Sequence, residues 1–140
     1  MRVHQAHLIL GEACRRWEEG NVQHLLALFL EDVAFVVHSR GWAQSMVRDG
    51  VGRALLGERL QMLLDQVEVQ SFVLTDVRMD GVRVGGWFNY CYRHRANGLQ
   101  VEGTMRHKFG FVGDRIAHFE LINDTHLLRA FYDMPGCARG

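Results

Sequence analysis

The chain has 140 residues, of which 48% are hydrophobic and 23% are charged. These fractions are typical of one globular domain that buries a core, and they exclude a disordered chain. Sixteen basic residues balance sixteen acidic residues, so the charge gives no reason to expect a nucleic-acid partner. No apolar run reaches the roughly 18 residues that a membrane-spanning helix needs, so we expect no membrane partner.

The cysteines indicate a reducing compartment. Cys14, Cys91 and Cys137 are an odd and scattered set, which argues against a disulfide framework. The N-terminus also lacks the order of charged, apolar and small residues that marks a signal peptide. We therefore expect a cytoplasmic protein.

The chain opens with two predicted helices. Apolar residues fall at helical spacing from Val3 to Trp17. Gly20 is a natural helix stop, and Asn21 is a natural N-cap for a second helix that runs through Phe29 and ends at Glu31-Asp32.

A short strand and a third helix complete the first half. The residues at 33–38 are mostly β-branched or aromatic and predict a short buried strand. The stretch 39–49 has no helical period and is interpreted as a loop. Asp49-Gly50 is expected to introduce a third helix, with leucines from Leu56 to Leu64 on its apolar face.

The second half is dominated by strands. A long strand is predicted at 67–79, and three more fill 85–123, with turns at 96–98 and 112–114. Both turns contain glycine, which supplies the positive φ that tight hairpins require. A cap cluster at 123–125 predicts a short terminal helix, and 135–140 reads as a flexible tail.

The middle strand of the last three alternates between apolar and polar side chains, so the sheet has one dry face and one wetter face. Helices followed by antiparallel strands indicate an α+β domain. We predict one domain at 1–134: a strongly curved, cone-shaped, mixed but mostly antiparallel sheet with three helices packed on its concave face. The predicted dry-face residues are Val101, Met105, His107, Phe109 and Phe111.

Two segments resemble a known superfamily. The stretch WEEGNVQHLLALFLEDVAF at 17–35 is similar to the opening of nuclear transport factor 2-like proteins, in which a helix, a Gly-Asn pair, a second helix and a strand follow one another. The stretch FGFVGDRIAHFELINDTHLLRAF at 109–131 is similar to the ending of the SnoaL-like members. The resemblance covers nearly the whole chain and implies a cone that encloses an apolar pocket.

The resemblance also implies a catalytic position. In ketosteroid isomerase, a related protein, the general base lies at the end of the first strand, and our alignment places His38 there. Histidine titrates near neutrality, so His38 is the first candidate for a general base, the other reading being a pocket-lining or core histidine. The family's donor tyrosine aligns with Ala13-Cys14, which argues against steroid isomerisation itself.

Three further polar residues depend on which face of the sheet they occupy. His107 lies among the dry-face residues. If Ile116 points inward, His118 and Glu120 join His107 in the pocket; if Phe119 points inward instead, they face solvent. SnoaL-like cyclases carry an acidic residue on this strand, and our alignment places Glu120 one position away from it.

The aromatic residues suggest a pocket wall for a flat apolar molecule, although the same residues would also suit a plain core. Tyr90 could donate to a ligand oxygen and joins His38, His107 and Glu120 as a catalytic candidate. No local spacing motif supports a metal site, so we expect neither metal nor cofactor. The candidate ligand-binding residues are Trp17, Trp42, Phe88, Met105, Phe109 and His118.

Two functions follow from these readings. The first is a small isomerase, cyclase or dehydratase that transfers a proton on an apolar carbonyl compound. The alternative is a non-catalytic module that binds a small molecule or dimerises. Trp87 and Cys91 alternate with the inward residues of their strand, so we also expect a homodimer through the outer face of the sheet.

Overall fold

The computed structural model describes residues 1–38 and 49–122. Residues 39–48 of the predicted loop, which include Trp42, lie outside these ranges, and so do the residues of the predicted terminal helix and of the predicted tail at 135–140. The described elements are three helices, α1 (Val3–Glu18), α2 (Val22–Leu26) and α3 (Arg53–Gln66), and six strands, β1 (Phe29–His38), β2 (Gly50–Val51), β3 (Val67–Asp80), β4 (Arg83–His94), β5 (Gln100–Val112) and β6 (Arg115–Ile122).

The joint between α1 and α2 is as predicted. Gly20 has a φ of 73°, the left-handed conformation that favours glycine after a helix. The side chain of Asn21 then accepts a hydrogen bond from the backbone N–H of His24 at 3.0 Å.

The predicted length of α2 was wrong. The helix ends at Leu26, and Phe29 already belongs to β1, where it pairs with Ile116 of β6. The backbone N–H of Ile116 donates to the carbonyl of Leu28 at 2.9 Å. Pairing with a distant strand therefore overrides the local helical pattern of these apolar residues.

The six strands form one curved, unclosed sheet in the order β2-β1-β6-β5-β4-β3. Only the β1–β6 pair is parallel, and every other described pair is antiparallel. The predicted α+β architecture, with a mixed and mostly antiparallel sheet and helices packed on it, is confirmed.

The start of the third helix was also predicted wrongly. Gly50 and Val51 form β2, which pairs with Phe35 and Ala34 of β1, and α3 begins only at Arg53. A Cβ at Gly50 would lie 2.7 Å from the Cζ of Phe35, so this close strand pairing requires glycine.

The concave face of the sheet holds the core. The dry-face pattern predicted for β5 is confirmed: Val101, Met105, His107 and Phe109 are buried, and Phe111 is partly buried and packs against the core. Helix α1 packs chiefly against β3, which places its buried stripe over this face. That stripe consists of Ala6, Leu10, Cys14 and Trp17.

Register shifts bend the strands. Two occur in the β3–β4 pair, one in β1–β6, and one between Gly110 and Phe111 in β5–β6. Bulges of this kind increase the local bend and twist of a sheet. On β6 the irregularity brings both Ile116 and Phe119 to the concave side: Ile116 is fully buried, and the ring of Phe119 lies 5.5 Å from that of Phe109.

Strand β3 forms one edge of the sheet, and a side chain of α1 accepts a hydrogen bond from its backbone. The Glu18 carboxylate accepts a hydrogen bond from the N–H of Phe72 at 2.8 Å. Phe72 follows one of the register shifts in β3. Among the described helices, none is long and apolar enough to cross a membrane.

Two helical glycines give a test of this packing. A Cβ at Gly57 would lie 2.5 Å from the Cδ1 of buried Leu26, whereas a Cβ at Gly11 would meet nothing within 4 Å. Gly11→Ala is expected to raise the free energy of unfolding by about 1 kcal/mol through helix propensity. Gly57→Ala gains the same helix propensity, but its Cβ overpacks against Leu26 at a larger cost. The free energy of unfolding of this variant should therefore fall by up to about 2 kcal/mol.

Urea unfolding of the two variants measures both effects. Equal stabilisation by the two substitutions would show that α2 and α3 do not pack through Gly57.

Candidate functional site

His107 lies at the centre of an aromatic cluster on the concave face. It is 4% exposed and pairs across the sheet with Gly86 of β4 and Leu121 of β6. Because Gly86 has no side chain, the imidazole meets no side chain at the directly opposed position of β4. Four phenylalanine rings surround the imidazole with centroid distances of 5.1–6.3 Å: Phe72, Phe88, Phe109 and Phe119.

The two ring nitrogens of His107 have different surroundings. Nε2 lies 3.1 Å from the sulfur of Met105. A thioether sulfur is a weak acceptor, so the favoured tautomer carries its proton on Nε2. Nδ1 is then a bare acceptor; it is buried and has no hydrogen-bond partner in the part of the chain that the structure describes.

Burial also sets the charge of His107. Desolvation disfavours the imidazolium and lowers the pKa of His107 from 6.5 to about 3. The side chain is therefore neutral at physiological pH. It can accept or donate a hydrogen bond, but it is too weak a base to take up a proton near neutrality.

Several predicted site residues share the face of His107. Phe88 pairs with Met105, and Phe109 lies two residues beyond His107 on β5. Tyr90 is 2% exposed, and its ring centroid lies 5.2 Å from that of Tyr92. The structure thus brings these predicted residues together, and their roles in binding remain predictions.

Trp17 reaches the same face from α1. Its indole N–H donates to the hydroxyl of Tyr92 at 3.2 Å, and both side chains are buried. Burial raises the pKa of Tyr92, so the hydroxyl stays protonated. This contact between residues 75 positions apart was not predicted. No spacing pattern in the sequence indicates this contact, although both side chains have an aromatic body and a polar tip, which usually finds a partner when it is buried.

His118 and Glu120 lie on the opposite, convex face. Glu120 pairs with Lys108, whose side chain points away from the side of His107, and His118 pairs with Gly110. The His118 Nε2 and a Glu120 carboxylate oxygen are 3.0 Å apart, with both side chains about one-fifth exposed. Of the two predicted arrangements, the outward one applies, so Glu120 does not join His107.

The position of His38 is described only through its backbone. It is the last residue of β1 and pairs with Ile122 of β6. Its side chain, and the whole of Trp42, lie outside the described part of the chain, so their predicted roles remain predictions.

The described residues contain no group of three or more metal-ligating side chains that could hold an ion. Cys14 is not an available nucleophile, since burial and the neighbouring Glu18 carboxylate raise the pKa of its thiol to about 12.

Comparison with known proteins places the fold. No protein-family model matches the sequence, and no curated protein matches it. Among solved structures, a proposed isomerase from Bacillus subtilis aligns with a TM-score of 0.81 and 16% identity, over 96% of this chain and 98% of that one. A proposed polyketide cyclase from Xanthomonas campestris aligns with a TM-score of 0.71 and 19% identity, over 91% and 96%.

A third structure names the fold. It is a hypothetical protein from Catenulispora acidiphila with a ketosteroid isomerase-like fold, in complex with trimethylamine. It aligns with a TM-score of 0.70 and 17% identity, over 84% of this chain and 85% of that one. Each of the three alignments covers at least 84% of both chains. This protein therefore has the nuclear transport factor 2-like fold, as the resemblance in its sequence implied.

Proposed function

We propose that the concave face binds a small apolar compound carrying a carbonyl and a hydroxyl group, and that His107 accepts a hydrogen bond from the hydroxyl. The observation that carries this proposal is the buried Nδ1 of His107, which lacks a partner among the described residues. Leaving a buried polar atom unsatisfied costs roughly 1–3 kcal/mol. If Nδ1 had no partner in the functional protein, an apolar side chain of similar size at this position would make the fold more stable.

The surroundings of Nδ1 favour a ligand over a buried water. A buried water typically needs two to four polar partners. The ring contacts of His107 are instead to phenylalanines, among them Phe72 and Phe88. An apolar molecule with one hydroxyl matches both features, because its body contacts the rings and its O–H meets the nitrogen.

We further propose that the reaction is removal of a proton next to the ligand carbonyl, with His38 as the general base. His107 cannot be this base, because its pKa of about 3 lies far below neutrality. The end of β1 is the position that the family resemblance implies for such a group. Two structural neighbours, a proposed isomerase and a proposed polyketide cyclase, support chemistry of this kind. A non-catalytic binding module remains the alternative.

We also propose a homodimer through the convex face. Trp87 lies there between the guanidinium groups of Arg78 and Arg106, at 5.4 and 4.9 Å from its ring centroid. Asp76 and Asp80 pair with basic residues of the same face, so charges of both signs are available to a two-fold partner. Sedimentation showing a monomer at micromolar concentration would contradict this assembly.

The two described cysteines, Cys14 and Cys91, are free thiols. This supports our proposal that the protein works in a reducing compartment, the cytoplasm.

His107→Phe tests the binding proposal with 2-naphthol and 2-methoxynaphthalene, two fluorescent probes of which only the first can donate a hydrogen bond. The wild-type protein is expected to bind 2-naphthol about tenfold more tightly, which corresponds to one hydrogen bond of about 1.4 kcal/mol. The variant should lose this preference without losing stability. His4→Gln, which changes an exposed histidine of α1, is the control. An unchanged preference in His107→Phe would exclude His107 as the acceptor.

The same variant should change the dependence of stability on pH. Below about pH 6.5 the unfolded chain binds a proton at His107 that the folded chain does not bind until about pH 3. The free energy of unfolding contributed by this residue is therefore intact above pH 6.5 and falls by about 1.4 kcal/mol per pH unit below it. Urea unfolding at pH 7 and pH 5 should show a smaller decrease for His107→Phe, and parallel decreases would contradict the buried neutral state.

Hydrogen exchange in 2-acetonaphthone tests the general base. Proton removal next to the carbonyl replaces the methyl hydrogens with deuterium in D2O, which NMR detects. His38→Ala is expected to lower the protein-catalysed rate by roughly 10²–10⁴-fold with binding unchanged. If the wild-type protein binds the ketone but gives no exchange above buffer, the non-catalytic alternative is correct. If His38→Ala keeps the full rate, His38 is not the base.

A further inference from the structure

Met105 contacts His107 within a single strand. Residues two positions apart on β5 lie on the same face of the sheet, and the Met105 sulfur is 3.1 Å from Nε2 of His107. Met105 is 6% exposed and His107 is 4% exposed, so solvent competes little for this nitrogen. Among the described residues, the sulfur is the partner of Nε2, and Nδ1 has none.

The sulfur distinguishes the two tautomers of His107, because a thioether can accept a hydrogen bond but cannot donate one. When Nε2 carries the proton, the 3.1 Å contact is a weak hydrogen bond. When Nδ1 carries it, the lone pair of Nε2 faces the lone pairs of the sulfur at the same distance. The low dielectric of the core leaves this difference unscreened. Met105 therefore stabilises the tautomer in which Nδ1 is a bare acceptor.

The aromatic neighbours hold the imidazole in this orientation. Phe88 pairs with Met105, and its ring leans over the next concave position of β4, where a Cβ at Gly86 would lie 2.9 Å from its Cε2. The rings of Phe88 and Phe119 lie 5.1 and 5.2 Å from that of His107. Exchanging the two nitrogens of His107 by rotation of the imidazole would require these packed rings to move.

We infer that Met105 is the positioning residue that sets the specificity of the site: by holding the proton of His107 on Nε2, it selects ligands that donate a hydrogen bond to Nδ1. This inference rests on the proposed function and names the chemistry that the His107 end of the site accepts. Alcohols and phenols fit. An ether or a ketone at the same place needs a proton on Nδ1, which would set a bare Nε2 against the sulfur.

The first arm of the test measures the nitrogen-15 chemical shifts of the His107 imidazole in the unliganded protein at pH 7. Protonated and bare ring nitrogens resonate far apart, and the pKa of about 3 keeps His107 neutral, so the shifts report the tautomer. The wild-type protein is expected to show a protonated Nε2 and a bare Nδ1. Met105→Leu removes the sulfur at nearly constant volume, and the two shifts should approach each other as the second tautomer becomes populated.

Two controls separate the sulfur from packing. Selenomethionine labelling keeps an acceptor at residue 105 and should leave both nitrogen shifts at their wild-type values. Met62→Leu, which changes a methionine of α3 that is 38% exposed, should also leave them unchanged.

The second arm measures binding of naphthalene, 2-naphthol and 2-methoxynaphthalene. The roughly tenfold preference of the wild-type protein for 2-naphthol over the ether should fall to about threefold in Met105→Leu, the loss expected from one weak hydrogen bond. Naphthalene, which carries neither group, should bind both proteins equally. A purely structural role for Met105 would weaken all three probes alike and leave the nitrogen shifts unchanged.

The failure of this inference is distinguishable from the failure of the proposed function. A proton on Nδ1 in the wild-type protein, or unchanged shifts in Met105→Leu, would overturn tautomer selection by Met105. Changed shifts with an unchanged preference would also overturn the inference, because the tautomer would then not set specificity. In each case, loss of the preference in His107→Phe would leave the proposed function intact. If His107→Phe keeps the preference, the proposed function fails and the specificity role of Met105 fails with it.

Discussion

The irregular register of the strands controls the rest of this structure. Without the shifts in β3 and between β5 and β6, a sheet of these strand lengths would be flatter and would give α1 a shallower surface to cover. The shift after Gly110 also brings Ile116 and Phe119 to the concave side together. The concave face therefore stays apolar along β6, and the polar pair His118–Glu120 is turned outward. One extra residue in a strand thus decides the composition of the candidate site.

Most of the architecture could be predicted from the sequence, because the long strands have strong local patterns of apolar and turn residues. The alternation along β5 and the glycine turn at Gly113 indicated the long strands of the second half and the dry face, whereas β2 and the parallel pairing of β1 with β6 were not predicted. The end of α2 could not be read, because Leu28 and Phe29 suit a helix as well as a strand and only pairing with Ile116 decides between them. Likewise, Gly50 looked like a helix start, since its close contact with Phe35 is not visible in one dimension.

The candidate site was predicted only in part, for a similar reason. Dry-face alternation correctly placed His107 with Phe88, Met105 and Phe109. The same rule left two orientations open for His118 and Glu120, since a bulge has no reliable signature in one sequence. The unsatisfied Nδ1 of His107 and the contact between Trp17 and Tyr92 depend on three-dimensional neighbours, and no spacing pattern reveals them. A shared fold does not supply this information either, because proteins with very different activities use the same cone.

The hydrogen bond that the Glu18 carboxylate accepts from β3 also affects how copies of this protein can associate with one another. An edge strand of 14 residues exposes backbone groups that could pair with the edge of another molecule. The Glu18 carboxylate occupies the Phe72 N–H at a bulge, and the Asp76 side chain accepts from the N–H of Val77 near the second one. Each of these carboxylates thus removes one backbone donor, and Glu18 also brings negative charge to β3. Growth of the sheet from molecule to molecule is thereby disfavoured at this edge.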